Sequence, residues 1–301
     1  MVRRILEIAL EGISHNALYL AVGILLAACM QALVDRARLM ALMRRSGWAG
    51  IVLATAAGSL TPLCSCATTA VILSLVASGV PWAPVVSFLV SSPLMSPSVY
   101  VLTAGVFGVP MANAKLITAL ALGLASGGIA AHLEARGMLV NGARFAPRRE
   151  ASACSCLTSA APPRTAVSRL LSALRDQGYF ILKYFVIYSL VGAAAQVLVP
   201  QSWIKGLFGA GKSYSIVTAT ILGIPLYMSG AASIPFAGSL VSMGMGRGAA
   251  LAFLTAGPGT HLGALAAVAL VSPKIVWWLY LATVLLGSII AGLAYNAAHP
   301  W

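Results

Sequence analysis

The stretch Thr61-Pro62-Leu63-Cys64-Ser65-Cys66 sets two thiols, a proline and hydroxyl groups inside a run that otherwise belongs in a membrane. A bilayer tolerates broken helix and polar side chains only where protein or a water-filled cavity surrounds them. Two soft sulfur ligands at such a break point to a binding site on a path through the membrane. On a regular helix the two cysteines would face about 200° apart and would not share one ion. Pro62 changes this, because proline suits the first helical position and Thr61 is a good cap before it. Cys64 then falls in the opening turn of a half-helix, where unpaired N–H groups and the positive dipole end favour a thiolate. An unwound 62–66 turns both sulfurs to one cavity. Soft thiolates select thiophilic species such as arsenic(III) compounds, copper(I) or mercury(II). The bland alternative is that buried cysteine acts as a small hydrophobe.

The rest of the chain agrees with a membrane setting. Its 301 residues are 60% hydrophobic and 8% charged, with a mean hydropathy of +0.93. Soluble domains carry about a quarter charged residues. The reading is an all-α, polytopic membrane protein of about eight spans, judged by the roughly 20 apolar residues that each crossing needs. Arg3 and Arg4 are followed by Glu7 and Glu11, and no small-residue cleavage site follows, so residues 1–13 read as a retained amphipathic lead-in. The net charge of +13 resides in arginines beside spans. That is an orientation signal and a contact with membrane lipids, and nucleic acid is not an expected partner. Five cysteines, Cys29, Cys64, Cys66, Cys154 and Cys156, match neither a disulfide framework nor a spaced zinc site.

Sliding the sequence by 165 residues aligns two halves without gaps. Ile51, Thr55 and Gly58 meet Ile216, Thr220 and Gly223; Phe88, Leu89 and Pro93 meet Phe253, Leu254 and Pro258; Gln31 meets Gln196. Duplicated halves with interrupted helices are a transporter signature. Repeat one is placed at 14–132, a hydrophilic connection at 133–178, and repeat two at 179–296, all within one permease domain. In the first half a span covers 14–34, interrupted segments cover 48–78 and 82–108, and a span covers 112–132. The second half mirrors this with 179–199, 214–243, 247–271 and 275–296. Segment 48–78 would be roughly 45 Å long as one helix, so it must tilt, kink or fold back. Four crossings per half would make the repeats parallel, and five would invert them. Seven arginines in 133–178 favour a cytoplasmic connection. Both termini are expected on that same side.

Other breaks supply candidate walls for the path. Ser91-Ser92-Pro93-Leu94-Met95-Ser96-Pro97 contains two serine–proline pairs read as capped helix starts, and Gly257-Pro258 matches them in the second half. The remaining breaks are Ile224-Pro225-Leu226-Tyr227-Met228-Ser229-Gly230 and Ala256-Gly257-Pro258-Gly259-Thr260-His261. A proline kink satisfied by neighbouring helices would look the same. His261 reads as the only mid-membrane titratable group apart from thiols and tyrosines, a proton-coupling residue or a satisfied structural histidine. The candidate substrate-binding side chains are therefore Thr61, Cys64, Ser65, Cys66, Ser92, Ser96, Ser229, Thr260 and His261. Cys154 and Cys156 lie in the connection, either as a capture point or as incidental loop sequence. Met228, Met243 and Met245 read as packing. Trp48, Trp82, Trp203, Trp277 and Trp278 read as an interfacial belt. Gly211-Lys212-Ser213 lacks the upstream glycine of a phosphate loop. No nucleotide-binding subunit, cofactor, resident metal or catalytic residue is expected.

Pro62-Leu63-Cys64-Ser65-Cys66, Gly79-Val80 and Ser92-Pro93 in the first half resemble the signature of the ArsP-type predicted permeases. So do Pro225-Leu226-Tyr227, Ala232-Ser233-Ile234-Pro235 and the run from Gly248 to Leu254 ending in Ala256-Gly257-Pro258. The likeness covers roughly residues 14–296. It implies multi-pass proteins of the cell inner membrane that export trivalent organoarsenicals such as methylarsenite, with cysteines engaging the arsenic. A singly substituted arsenic(III) keeps two exchangeable positions, which suits a dithiol. The chain departs from the pattern at Ser229-Gly230-Ala231, where many relatives carry a second cysteine triplet, and at His261, where asparagine is common.

Three functions follow from this reading. The first is an exporter of a thiophilic small molecule, foremost an organoarsenical. The second is a secondary transporter for a sulfur compound, a metabolite or a soft metal ion. The third is a membrane thiol oxidoreductase, which the strained Cys-x-Cys spacing disfavours.

Overall fold

A computed structural model describes residues 47–61, 80–139, 201–209, 213–224, 233–260 and 272–298, with isolated positions in 18–25, 71–76, 175–193, 230–231 and 265–269. Among these residues the chain is helical, with no strand beyond an isolated bridge between Gly209 and Met245. The described elements are α1 (Trp48–Leu60), α2 (Trp82–Leu94), α3 (Pro97–Phe107), α4 (Val109–Ala135), α5 (Gln201–Phe208), α6 (Ser213–Gly223), α7 (Ser233–Ser242), α8 (Arg247–Gly259) and α9 (Lys274–Ala298). Three stretches among them are long and apolar enough to cross a membrane: Trp82–Phe107, Val109–Ala135 and Lys274–Ala298. The fold is an all-α polytopic membrane protein. The helix α4 extends the expected 112–132 span by a turn at its C-terminal end, and starts where Gly108, at φ 90, turns the chain back from α3.

Proline sets where helices stop. Thr61 precedes Pro62 and is extended at φ −86, ψ 122, so α1 ends at Leu60. A proline ring clashes with a helical residue before it, which pushes that residue to the extended region. Ser96 before Pro97 obeys the same rule at φ −149, ψ 161. Its hydroxyl accepts from Val99 N at 3.3 Å, making Ser96-Pro97 a capped start. Ser92-Pro93 does not behave as expected. Pro93 lies inside α2 and Pro258 inside α8, each followed by one more residue of helix. The break in 82–108 thus narrows to Met95 and Ser96.

Side-chain ties fix the direction of each helix. Ser87 Oγ donates to Ile51 O at 3.2 Å, and Gly58 lies against Ser91, so α1 and α2 run in the same direction. Ser87 Oγ also reaches Gly123 O at 2.8 Å, Trp82 N donates to Glu134 Oε1 at 3.4 Å, and Tyr100 Oη donates to Asn113 Oδ1 at 2.7 Å. Hence α4 runs antiparallel to α2 and α3. The helices α1 and α2 climb side by side from one face. Most of 62–79 lies outside the described residues. With 13 residues, α1 spans about 20 Å and stops short of a hydrocarbon core of about 30 Å.

The same three-helix packing occurs again 165 residues on. Helices α2, α4 and their counterparts α8, α9 start at Trp82, Val109, Arg247 and Lys274. Gly223 lies against Ala256 and Gly257 as Gly58 lies against Ser91 and Ser92, and Gly292 meets Ile216 and Ala252 as Gly127 meets Ile51 and Ser87. Small residues at these crossings let backbones approach closely, which is how membrane helices associate without a hydrophobic driving force.

The two packings enter from opposite faces. Gly230 lies against Val99 and Pro93 O, and Gly238 against Val106, so α7 runs alongside α3 in the same direction. The helix α8 folds back on α7, with Phe236 and Phe253 rings 6.0 Å apart, so it starts on the face where α3 ends. The helix α2 starts on the other face. The C-terminal ends of α2 and α8 meet at mid-depth, where Leu94 packs on Gly259, and α4 crosses α9 where Leu122 packs on Gly287. One consequence corrects an expectation: α4 and α9 end on opposite faces, so the connection after Leu139 and the end of α9 do not share a side. Trp82 is also not part of an interfacial belt. It is buried, whereas Trp48, Trp203 and Trp278 are exposed as a belt requires.

Candidate functional site

The helix ends converge at mid-depth, and four of the candidate residues sit there. Thr61 closes α1, Ser92 lies in the last turn of α2, Ser96 caps α3, and Thr260 follows α8; all four are buried. Their hydroxyls turn mostly to their own segments. Thr61 Oγ1 donates to Ala57 O at 2.7 Å and Thr260 Oγ1 to Ala256 O at 2.8 Å. Ser96 Oγ stands 3.1 Å from Ser98 Oγ. Thr61 was expected to cap the helix after it, which lies outside the described residues; its hydroxyl donates back to Ala57 O, which also accepts from Thr61 N at 3.0 Å. Cys64, Ser65, Cys66, Ser229 and His261 lie outside the described residues, as do Cys29, Cys154, Cys156 and Met228.

Two prolines add polarity at this level. Pro93 supplies no N–H for Leu89 O, and Pro258 none for Leu254 O. The end of α8 is closed by Tyr280, whose hydroxyl donates to Gly259 O. Gly230 sits with its backbone against Pro93 O and Val99, so the second-half break approaches the first-half break. Met243 and Met245 are buried packing residues, as expected.

Sequence reasoning passed over one group here. Lys115 of α4 is 1% exposed, and its Nζ has no hydrogen-bond partner. His261 is therefore not the only mid-membrane titratable side chain besides thiols and tyrosines. The available signal was a lysine four residues into a run otherwise fit to span a bilayer, on the stripe Lys115, Ala119, Gly123, Gly127 that faces inward. Ser59 Oγ is the other buried side-chain atom without a partner among the described residues.

No group of three or more metal-ligating side chains occurs among the described residues. Comparison with curated proteins returns no match, and comparison with solved structures returns none. The family model described as predicted permease, of the ArsP type, matches residues 2–297, nearly the whole chain. The protein belongs to the ArsP-type predicted permease family.

Proposed function

We propose that this permease is an inverted duplication that exports a thiophilic small molecule across the inner membrane, foremost a trivalent organoarsenical such as methylarsenite. The observation that carries this reading is the buried end of α1. Thr61 closes that helix at the depth where α2 and α8 also end, and the thiols of Cys64 and Cys66 follow it within five residues. Two thiols match the two exchangeable positions of a singly substituted arsenic(III), and thiolate is the soft ligand such a cargo prefers. Ser65, Ser92, Ser96, Ser229, Thr260 and His261 complete the proposed lining. Broken helices meeting at the midplane between two oppositely oriented halves are where secondary transporters hold their cargo. Movement of one half against the other then exposes the site to each side in turn.

Expression of the full chain in an arsenic-sensitive bacterium tests the reading. Resistance to methylarsenite should disappear in the Cys64→Ser/Cys66→Ser variant, while the protein level in the membrane stays unchanged. Resistance retained by that variant overturns the thiol-ligand mechanism. The break in the second half carries Ser229-Gly230-Ala231 and no thiol. That favours, as a second reading, a smaller soft cargo such as a sulfur compound or copper(I). Uptake assays in liposomes with thiosulfate, copper(I) and methylarsenite separate the two.

A further inference from the structure

The two bundles start from opposite faces, so equivalent segments of the duplication sample the two sides of the membrane. The helices α1 and α2 start on one face, and α4 returns to it, since Trp82 N donates to Glu134 Oε1 near the end of α4. The helix α9 also starts there, because its last turns pack on the start of α8, with Asn296 Oδ1 accepting from Gly248 N. The other face carries the turn between α3 and α4, the start of α8 and the end of α9. It also carries α5, whose Phe208 O accepts from Gly246 N at 2.8 Å, next to the bridge between Gly209 and Met245.

Basic residues divide unevenly between these faces. Arg36, Arg38, Arg44 and Arg45 lie in 36–46, directly ahead of α1. Seven arginines lie in 133–178, which α4 leads into, and Lys274 opens α9. The opposite face has Lys205, Lys212 and Arg247, with no Lys or Arg in 97–114 or 275–301. Lys115 is buried in the bundle and belongs to neither surface. Counting Arg3 and Arg4 with the second face leaves the disparity in place.

The duplication supplies an internal comparison. Shifted by 165 residues, 36–46 falls on 201–211, so its four arginines stand where the second half has Gln201, Trp203, Gly209 and Ala210. One half is arginine-rich at this place in the repeat. The other has the short helix α5, with Trp203 and Leu207 exposed one turn apart and Ile204 and Phe208 buried. A helix so divided suits the membrane–water boundary, where tryptophan is favoured. Short loops rich in Arg stay on the cytoplasmic side, whose leaflet is anionic. The shared starting face of α1 and α2 puts the arginines before α1 and those after α4 on one side, so the two groups reinforce each other.

We infer, resting on the inner-membrane setting of the proposed function but not on its cargo, that the face where α1 and α2 start is cytoplasmic and docks on the anionic headgroups of that leaflet. The helix α5 and the end of α9 then lie on the outer side.

Two readouts on the full chain test this, and neither involves cargo, so either can fail while arsenical resistance holds. A specific protease site is placed in the 133–178 connection or, after a flexible spacer, behind Trp301. Protease is then added to sealed spheroplasts and to inverted vesicles. The site behind Trp301 should be cut only in spheroplasts and the connection only in inverted vesicles, with both cut in detergent. Any other pattern overturns the assignment of sides. For the lipid contact, thermal unfolding is followed in nanodiscs of phosphatidylglycerol or of phosphatidylcholine. The wild-type midpoint should be higher in the anionic lipid. The Arg36→Gln/Arg38→Gln/Arg44→Gln/Arg45→Gln variant should lose about a third of that difference, since cations near the surface contribute comparably. Lys205→Gln/Lys212→Gln should lose less. Equal wild-type midpoints in the two lipids, or an undiminished difference in the arginine variant, overturn the docking surface. The wild-type comparison decides alone if the arginine variant fails to fold.

Discussion

The bundle α1–α2–α4 and the bundle α6–α8–α9 share helix directions and glycine crossings, yet different side chains tie them at mid-depth. In the first, Ser87 and Thr55 hydroxyls stand 2.5 Å apart, and Ser87 also reaches Ile51 O and Gly123 O. The counterpart of Ser87 is Ala252, and the counterpart of Thr55, Thr220, donates to Ile216 O within its own helix. The second bundle is tied nearer the membrane face, where Gly248 N donates to Asn296 Oδ1 at 3.0 Å. The first bundle has a comparable tie at its own face, Trp82 N to Glu134 Oε1 at 3.4 Å, so the difference lies at mid-depth, where the first is tied through Ser87 and the second through Tyr280 to Gly259 O. The asymmetry continues at mid-depth, where Tyr280 closes one helix end and Lys115 leaves the other polar and unsatisfied. Close backbone packing is what both halves require, and polar ties are free to differ.

Substitutions at the shared crossings should have the largest effect and test whether the glycines matter equally. A side chain at Gly292 would start 2.7 Å from Gly248 O and 2.8 Å from Ile216. One at Gly58 would meet Ser91 and lie 3.2 Å from Phe88 O. Gly292→Leu and Gly58→Leu should each destabilise by about 3 kcal/mol or more, because backbone atoms cannot yield. Denaturation of the detergent-solubilised protein reads this directly. A mild effect in one half alone would mean that the two packings are not equivalent. Next in size is Ser87→Ala, which removes a mid-depth tie and should cost about 1–2 kcal/mol. Ala252→Ser should not give a matching gain, since the second bundle does not use that position. Tyr280→Phe should cost about 1 kcal/mol by orphaning Gly259 O. The smallest effect belongs to Gly206→Ala in α5, where a Cβ meets nothing within 4 Å. It should stabilise by about 0.5 kcal/mol through helix entropy.

Pattern alone gave the membrane class, the family likeness and the helices around 82–94 and 247–259, because apolar length and proline spacing are local properties. It misplaced the serine–proline pair at Ser92-Pro93. Whether a proline starts a helix or ends one depends on the residues it packs against, and Ser92 is buried in the bundle beside Gly58. It also passed over Lys115, since a lysine near the start of a span reads as an interfacial anchor until its face is known.

Sequence by itself determined that this chain is an all-helical permease with helix breaks before Pro62 and Pro97, for hydrophobic length and proline stereochemistry act within a few residues. Tertiary structure decided that α1 and α2 start side by side on one face and that the two bundles enter from opposite faces. It also decided that Ser59 and Lys115 are buried with no hydrogen-bond partner for their polar atoms. Those outcomes depend on which helix faces pair and in which direction, and interhelical packing between residues tens of positions apart sets both.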